Sequence, residues 1–327
     1  MGQRYTIKRR LLDLPAVKQA TQRTRSLVLP GFGNFTVADV WRPFWDQLRN
    51  TSLLERAAAI SFNVFMAIPP TLIFIFTLIP YLPISERFVQ EMFSLIRDIV
   101  PGEENNSTII GFLSDFLNRP RNGLLSFGLL VAIFFSSNAM MGVLRSFDKN
   151  YPGFGDPTGL QKRQTALKLT LLLFVIVFVS IFFLIAQAAF LKWLGIEITW
   201  LRNLIADVRW IIILLLVFYS VSVVYRFGPA LQRRWPYVTP GSVFATTLMA
   251  LATFAVSFWV NNFASYNKLY GSISAVFILM SLIYVNALVI LIGFELNVTL
   301  SILRRNNQSA QKPMDERQAA STKKPQL

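Results

Sequence analysis

With 327 residues, 54% of them hydrophobic and only 15% charged, and a mean hydropathy of +0.48, the chain lies well outside soluble composition, in which about a quarter of residues are charged. It has no cysteine and no histidine, which excludes disulfides, thiolate nucleophiles, imidazole bases and Cys/His zinc sites; no metal site and no cofactor is expected. The formal charge of +15 raises nucleic acid as a partner, a question that the placement of the charges decides.

Residues 1–33 form a basic amino-terminal segment, polar for roughly 30 residues before any apolar run, a pattern that predicts no cleavable signal peptide. The stretch 34–52, NFTVADVWRPFWDQLRNTS, sets Val37, Val40, Trp41, Phe44, Trp45 and Leu48 at helical spacing, with Thr36 and Asp39 placed to cap the start. It predicts an amphipathic helix lying in the cytoplasmic membrane interface. Six stretches then qualify as membrane spans: 57–80, 122–144, 169–191, 210–225, 240–260 and 272–294. The fourth has only 16 residues, bracketed by Arg209 with Trp210 and by Tyr225 with Arg226 as interface anchors. Between the first two spans, the stripes Phe88, Met92, Leu95, Ile96, Ile99 and Ile109, Phe112, Leu113, Phe116, Leu117 flank a PGEENNS turn. They predict two short amphipathic helices on the outer face. Residues 34–303 make the membrane domain, and the polar residues 304–327 read as a disordered cytoplasmic tail.

The expected fold is therefore all-α: a polytopic membrane protein with six transmembrane helices, both termini cytoplasmic, and interfacial amphipathic helices. An even span count puts both ends on one side. Of the 32 Lys and Arg, 24 fall on that side and 8 on the other, while the 17 acids divide 9 to 8. All the net charge thus lies on the side of the termini, which the positive-inside rule makes cytoplasmic. Topology and attraction to the anionic inner leaflet account for the basic pI, so membrane lipids are the expected partners and nucleic acid is not. A homo-oligomer or an envelope protein partner is left open.

Three stretches resemble a known family. ASYNKLYGSISAVFILMSLIYVNALVILIGFELNVTL (264–300) is similar to the closing signature of the YihY/BrkB family of bacterial inner-membrane proteins, with Tyr270 and Gly271 opening the last span and Gly293, Glu295 and Leu296 closing it. VYRFGPALQRRWPYVTPGSVFATTLMAL (224–251) is similar to the family's Tyr-Arg-Phe-x-Pro loop and following Pro-Gly through Tyr225, Arg226, Phe227, Pro229, Pro240 and Gly241. The first span, AAAISFNVFMAIPPTLIF, also resembles the family's, with Asn63 where a tyrosine-like residue is expected and Pro70 as an added proline. The resemblance covers roughly 40–303. It implies a multi-pass protein of the bacterial cytoplasmic (inner) membrane and cell envelope, and in the virulence-factor members resistance to host serum killing. An older family label, ribonuclease BN, fits poorly: there is no histidine and no soluble domain to build a catalytic groove, so no enzyme is expected.

Polar groups in lipid need partners. Asn63 lies seven residues inside Arg56, Asn138 seven before Arg145 and Asn286 nine before Glu295, which puts three amides at one depth, ~10–14 Å from the inner boundary. They form a candidate polar intramembrane site together with Pro69 and Pro70, whose missing N–H groups predict a break or kink in the first span. The bland reading is that asparagines bridge helices through bonds of ~1 kcal/mol. Thr246, Ala250, Thr253, Ser257 and Asn261 predict a close-packing seam on the fifth span. Arg145 and Asp148 are spaced as an interfacial ion pair, and Glu295 is expected at the inner water boundary within reach of Arg226, Arg56 or Arg145. The functional expectation is a transporter of an envelope lipid or amphiphilic anion, with its site between the first span and spans two, five and six. The alternative is a non-catalytic scaffold or envelope assembly factor, and a membrane hydrolase or nuclease ranks last.

Overall fold

The computed structural model describes residues 31–32, 35–81, 110–111, 114, 122–148, 151–193, 199–262 and 273–322. The two outer amphipathic helices expected in 81–121 fall almost wholly outside these residues, as do Tyr270 and Gly271. Among the described residues every regular element is helical: α1 (Val37–Asn50), α2 (Leu53–Leu78) with a 3-10 turn at Ile79–Tyr81, α3 (Asn122–Phe147), α4 (Gly159–Trp193), α5 (Thr199–Phe227), α6 (Pro240–Asn262) and α7 (Ile273–Thr322). One isolated bridge, Phe154 with Leu231, ties the α3–α4 connection to the α5–α6 connection.

Local chemistry sets several helix starts. Thr36 caps α1 reciprocally: its hydroxyl accepts the Asp39 N–H at 3.3 Å, and the Asp39 carboxylate accepts the Thr36 N–H at 3.0 Å and hydroxyl at 2.7 Å. The bonds from Thr36 hold the Asp39 carboxyl below its ordinary pKa. Thr158 and Gln161 exchange the equivalent pair of bonds at the start of α4, and Thr239 with Ser242 does so ahead of Pro240, a residue suited to a first helical turn.

Two expectations about helix continuity are corrected. Pro69 and Pro70 do not break α2, which runs unbroken from Leu53 to Leu78. A helix end in lipid would strand a whole turn of polar backbone, whereas two missing N–H groups cost less. Nor does the last helix stop at Leu303: α7 continues through the expected disordered tail to Thr322, since no glycine follows Gly293 and the run to Gln311 is made of residues a helix tolerates.

The six long helices close into a ring, each packing on the next and α7 returning to α2, while α1 lies against α7. The protein core sits at one end of this ring, where Ile60, Met140, Leu144, Phe147, Val223, Tyr225, Leu291, Phe294 and Val298 are buried together. Val40 and Phe44 of α1 pack on Leu296 and Leu300 in a second cluster. The rest of the apolar face predicted for α1 divides: Trp41 and Trp45 stack at 5.9 Å and stay exposed.

Away from that end the helices are oily and uncovered. Phe254 is 72% exposed and Leu130 68%, surface that water would not tolerate and lipid requires. Five helices, α2, α3, α4, α6 and α7, are long and apolar enough to cross a membrane, and α5 contributes the shorter apolar stretch Ile211–Phe227. Of the seam expected on α6, Thr246 is buried while Ala250, Thr253 and Ser257 are exposed, because the ring neighbours of α6 pack on its other faces; the side chain of Asn261 lies outside the described residues.

Candidate functional site

Three elements converge on Glu295 of α7. Arg56 of α2 donates from Nη1 to Glu295 Oε1 at 2.7 Å, Gln47 of α1 donates to Oε2 at 3.2 Å, and the Tyr151 hydroxyl, from the α3–α4 connection, lies 3.0 and 2.9 Å from the two carboxylate oxygens. Arg56 also donates from Nη2 to the Ser146 carbonyl at the end of α3. The Glu295 side chain is 0% exposed and that of Arg56 10%. This corrects the expectation of a carboxylate at open water: α1 and the connection after α3 fold over this point of α7, and the helix runs on beyond it. Of the three arginines considered as partners, Arg56 is the one that pairs. Burial first, and then the Glu295 charge, push the Tyr151 phenol above its ordinary pKa, so it stays protonated and donates.

Beneath this knot lies an aromatic layer. Phe294 stacks on Phe147 at 4.1 Å, with Tyr151, Phe154, Tyr225 and Trp235 around it. The resemblance residues are part of the same construction. Tyr225 donates to the Ile290 carbonyl at 2.6 Å. A Cβ on Gly293 would stand 2.6 Å from the Tyr225 hydroxyl and 2.7 Å from the Gly241 carbonyl, so α6 and α7 meet backbone to backbone there. Gly241 N–H donates to Asn297 Oδ1 at 2.9 Å, and Asn297 Nδ2 donates to Thr239 Oγ1 at 3.0 Å. Arg226 donates to the Trp235 carbonyl at 2.8 Å and lies over the Tyr237 ring. Pro229 is buried at the turn after α5, its carbonyl accepting the Leu231 N–H at 2.9 Å.

A second polar region lies between α2, α3 and the start of α4. Asn63, Asn138, Gly142, Arg145, Gly159 and Arg163 line a cavity of about 320 Å³ with Met141. Arg163 donates to Asn138 Oδ1 at 2.5 Å and its guanidinium lies 5.2 Å over the Phe134 ring. Asn63 donates to the Ala59 carbonyl at 2.7 Å. The structure thus brings together two of the three asparagines and leaves out the third: Asn286 bonds to the Leu282 carbonyl of its own helix at 2.8 Å. The expected Arg145–Asp148 pair does not form, because Lys162 takes the Asp148 carboxylate and leaves Arg145 facing the cavity. Pro69 and Pro70 are not among the lining residues. Arg163, Tyr151 and Gln47 were not legible as site residues; the one signal was Arg163 itself, a cation opening an apolar helix.

Five of the ring helices line a third space, an apolar cavity of about 420 Å³. Its walls include Met140 and Val143 of α3, Leu173 and Ser180 of α4, Val217 and Ser220 of α5, Met249 of α6 and Ile290 of α7.

Residues 44–319 match the family model Virulence factor BrkB. Among curated relatives, the chain is 28% identical over 257 residues to the putative ribonuclease-like protein YfkH of Bacillus subtilis, covering 75% of this chain and 89% of that one. It is 22% identical over 284 residues to a UPF0761 membrane protein of Xanthomonas campestris pv. campestris, covering 86% of this chain and 63% of the relative. To a UPF0761 membrane protein of Stenotrophomonas maltophilia it is 22% identical over 298 residues, covering 88% and 64%. The chain thus spans less than two thirds of the length of the Xanthomonas and Stenotrophomonas relatives. No solved structure matches it. With five helices among the described residues long and apolar enough to cross a membrane and the family model covering most of its length, the chain is a multi-pass bacterial membrane protein and belongs to the Virulence factor BrkB family.

Proposed function

We propose that the protein transports an amphiphilic anion, an envelope lipid foremost, across the bacterial inner membrane. The observation that carries this reading is the apolar cavity of about 420 Å³ among the helices. Helical interiors otherwise pack to crystal-like density, and a space walled by Leu, Ile, Val and Met accepts an acyl chain and rejects a hydrated solute. A separate polar cavity on α2, α3 and α4, with two guanidiniums and two amides, is suited to the charged head of such a ligand when it meets the protein from the membrane.

The topology that goes with this reading is six crossings with both chain ends in the cytoplasm. It is supported by α5, which packs between α4 and α6 in the ring, and by the 24 to 8 division of Lys and Arg that a six-span count gives. A hydrolase or nuclease is disfavoured. Among the described residues no three His, Cys, Asp or Glu gather in one place, and the buried carboxylate is matched by an arginine instead of a second acid. A scaffold reading is favoured by one feature, the exposed small residues Ala250, Thr253 and Ser257 on α6, a surface that a partner helix could cover.

Flux of labelled lipid in proteoliposomes separates the two. Ser220→Phe with Val217→Phe, which fills the apolar space, is expected to cut flux at least about tenfold, a rise of ~1.4 kcal/mol in the barrier, and Asn63→Leu with Asn138→Leu to act likewise, while Asn286→Leu leaves flux unchanged. Undiminished flux in the folded filled variant would refute the transport path.

A further inference from the structure

The geometry points to the cavity between α2, α3 and α4 as a binding site for a lipid-borne phosphate, taken from the inner leaflet. This deepens the transport reading by naming the class of ligand, and it rests on that reading for the orientation of the site.

The charge comes first. Arg145 and Arg163 both line the cavity and no carboxylate does. The nearby acid Asp148 is engaged by Lys162. Arg145 makes no side-chain hydrogen bond or ion pair among the described residues, and Arg163 is met only by a neutral amide and a phenyl ring. The start of α4 at Gly159 adds the positive end of a helix on the same wall. Two guanidiniums beside a bilayer with no acid between them repel one another and attract an anion. A carboxylate satisfies one guanidinium fork, whereas a phosphate presents oxygens enough for two.

The shape argues for a headgroup whose tails lie outside. About 320 Å³ is on the order of ten water volumes at ~30 Å³ each, sufficient for a phosphate with a small substituent. Outside the cavity the surface changes from polar to apolar along one line of α3: Arg145, Asn138, Phe134 and Phe127 fall within ~40° of each other at 100° per residue. Phe134 is 53% exposed and Phe127 64%. From Arg145 to Phe134 the helix rises ~16 Å, half of the ~30 Å hydrocarbon core and so the depth of one leaflet. A free phosphate would have no use for that apolar track, and an anionic lipid fits both parts.

The test uses the full chain in phosphatidylcholine nanodiscs carrying either spin-labelled phosphatidic acid or spin-labelled phosphatidylcholine, with the motionally restricted fraction read by electron paramagnetic resonance. The wild type is expected to restrict the phosphatidic acid at least about fivefold more strongly than the choline lipid, the order of one basic residue's attraction. Arg145→Gln with Arg163→Gln should bring that ratio close to one, and Arg233→Gln with Arg234→Gln, which removes the same charge from the α5–α6 connection, should leave it. Asn138→Asp, which keeps the shape of the cavity and adds an opposing charge, should reduce the preference as well and covers the case in which the double arginine variant misfolds. Absence of a preference in the wild type, or its survival in the folded cavity variants, overturns the site. Displacement of the labelled lipid by millimolar inorganic phosphate would also overturn it, by making the ligand a soluble anion. Loss of the transport reading looks different, because lipid flux would be absent while the binding preference stood.

Discussion

At Glu295 three elements bring an arginine, an amide and a phenol to one carboxylate of α7 and shut out water, whereas at Arg145 and Arg163 two cations face a space of about 320 Å³ lined by no acid. The two regions occupy the same end of the ring and are joined through Arg56, which reaches from Glu295 to the carbonyl of Ser146, the residue next to Arg145. One is a closed account of charge and the other an open one. A buried ion pair is weak evidence of net stability, because desolvation offsets most of the attraction, yet it is costly to break from one side. The closed cluster is therefore suited to fixing how α1, α2, α3 and α7 meet. The open one has attraction left over for something outside the protein. Of the residues that carry the family resemblance, Tyr225, Gly241, Gly293 and Glu295 belong to the closed region, while the cavity takes from the resembling stretches only Asn63, the position where the first span departs from the family pattern.

The largest effect should come from opening the closed cluster. Glu295→Ala or Arg56→Ala strands a buried charge and should cost ~3–5 kcal/mol, read as a lowered midpoint of unfolding in detergent. Replacing both by methionine should restore most of that loss, and Arg145→Ala should cost less than ~0.5 kcal/mol, the usual range for an exposed site. Equal costs at Arg56 and Arg145 would erase the distinction between the regions.

Alkali gives a smaller effect that sharpens the same contrast. The Tyr151 phenol holds its proton above the ordinary pKa of 10.0. Since the folded state binds that proton more tightly than the unfolded one, its contribution is intact below about pH 10 and is lost as pH rises beyond it. Unfolding midpoints should therefore fall more steeply above pH 10 in the wild type than in Tyr151→Phe. Matching slopes would mean that the phenol is not bound to Glu295 as described.

Much of the fold was legible because oil and helix period are local properties. The capping box at Thr36, the start of α6 at Pro240 and the apolar face of α1 could be read from neighbouring residues, but that Val40 and Phe44 pack on α7 rather than in lipid could not. The apolar windows marked the middle of each helix and not its ends: the third was read as 169–191 and α4 spans Gly159–Trp193, since Gln161, Lys162 and Arg163 extend a helix in water as readily as oil does in lipid. Depth along a helix was also legible, and it put Asn63 and Asn138 at one level. Rotation relative to neighbours was not: Asn286 does not line the cavity that Asn63 and Asn138 share. Tyr151 and Arg163 carry no signal of these contacts in the sequence because their partners lie 144 and 25 residues away, and no spacing rule links a connection or a helix start to a point on another helix.

The central claim is that the Glu295 cluster holds the fold while the arginine cavity meets the ligand. Its most direct test is the flux of labelled phosphatidic acid in proteoliposomes, expressed per folded protein, for Glu295→Gln beside Arg145→Gln with Arg163→Gln. The account predicts near wild-type flux for Glu295→Gln once folding is matched, and a loss of at least about tenfold for the double arginine variant. The opposite pattern, with flux abolished at Glu295 and untouched at the arginines, would contradict it.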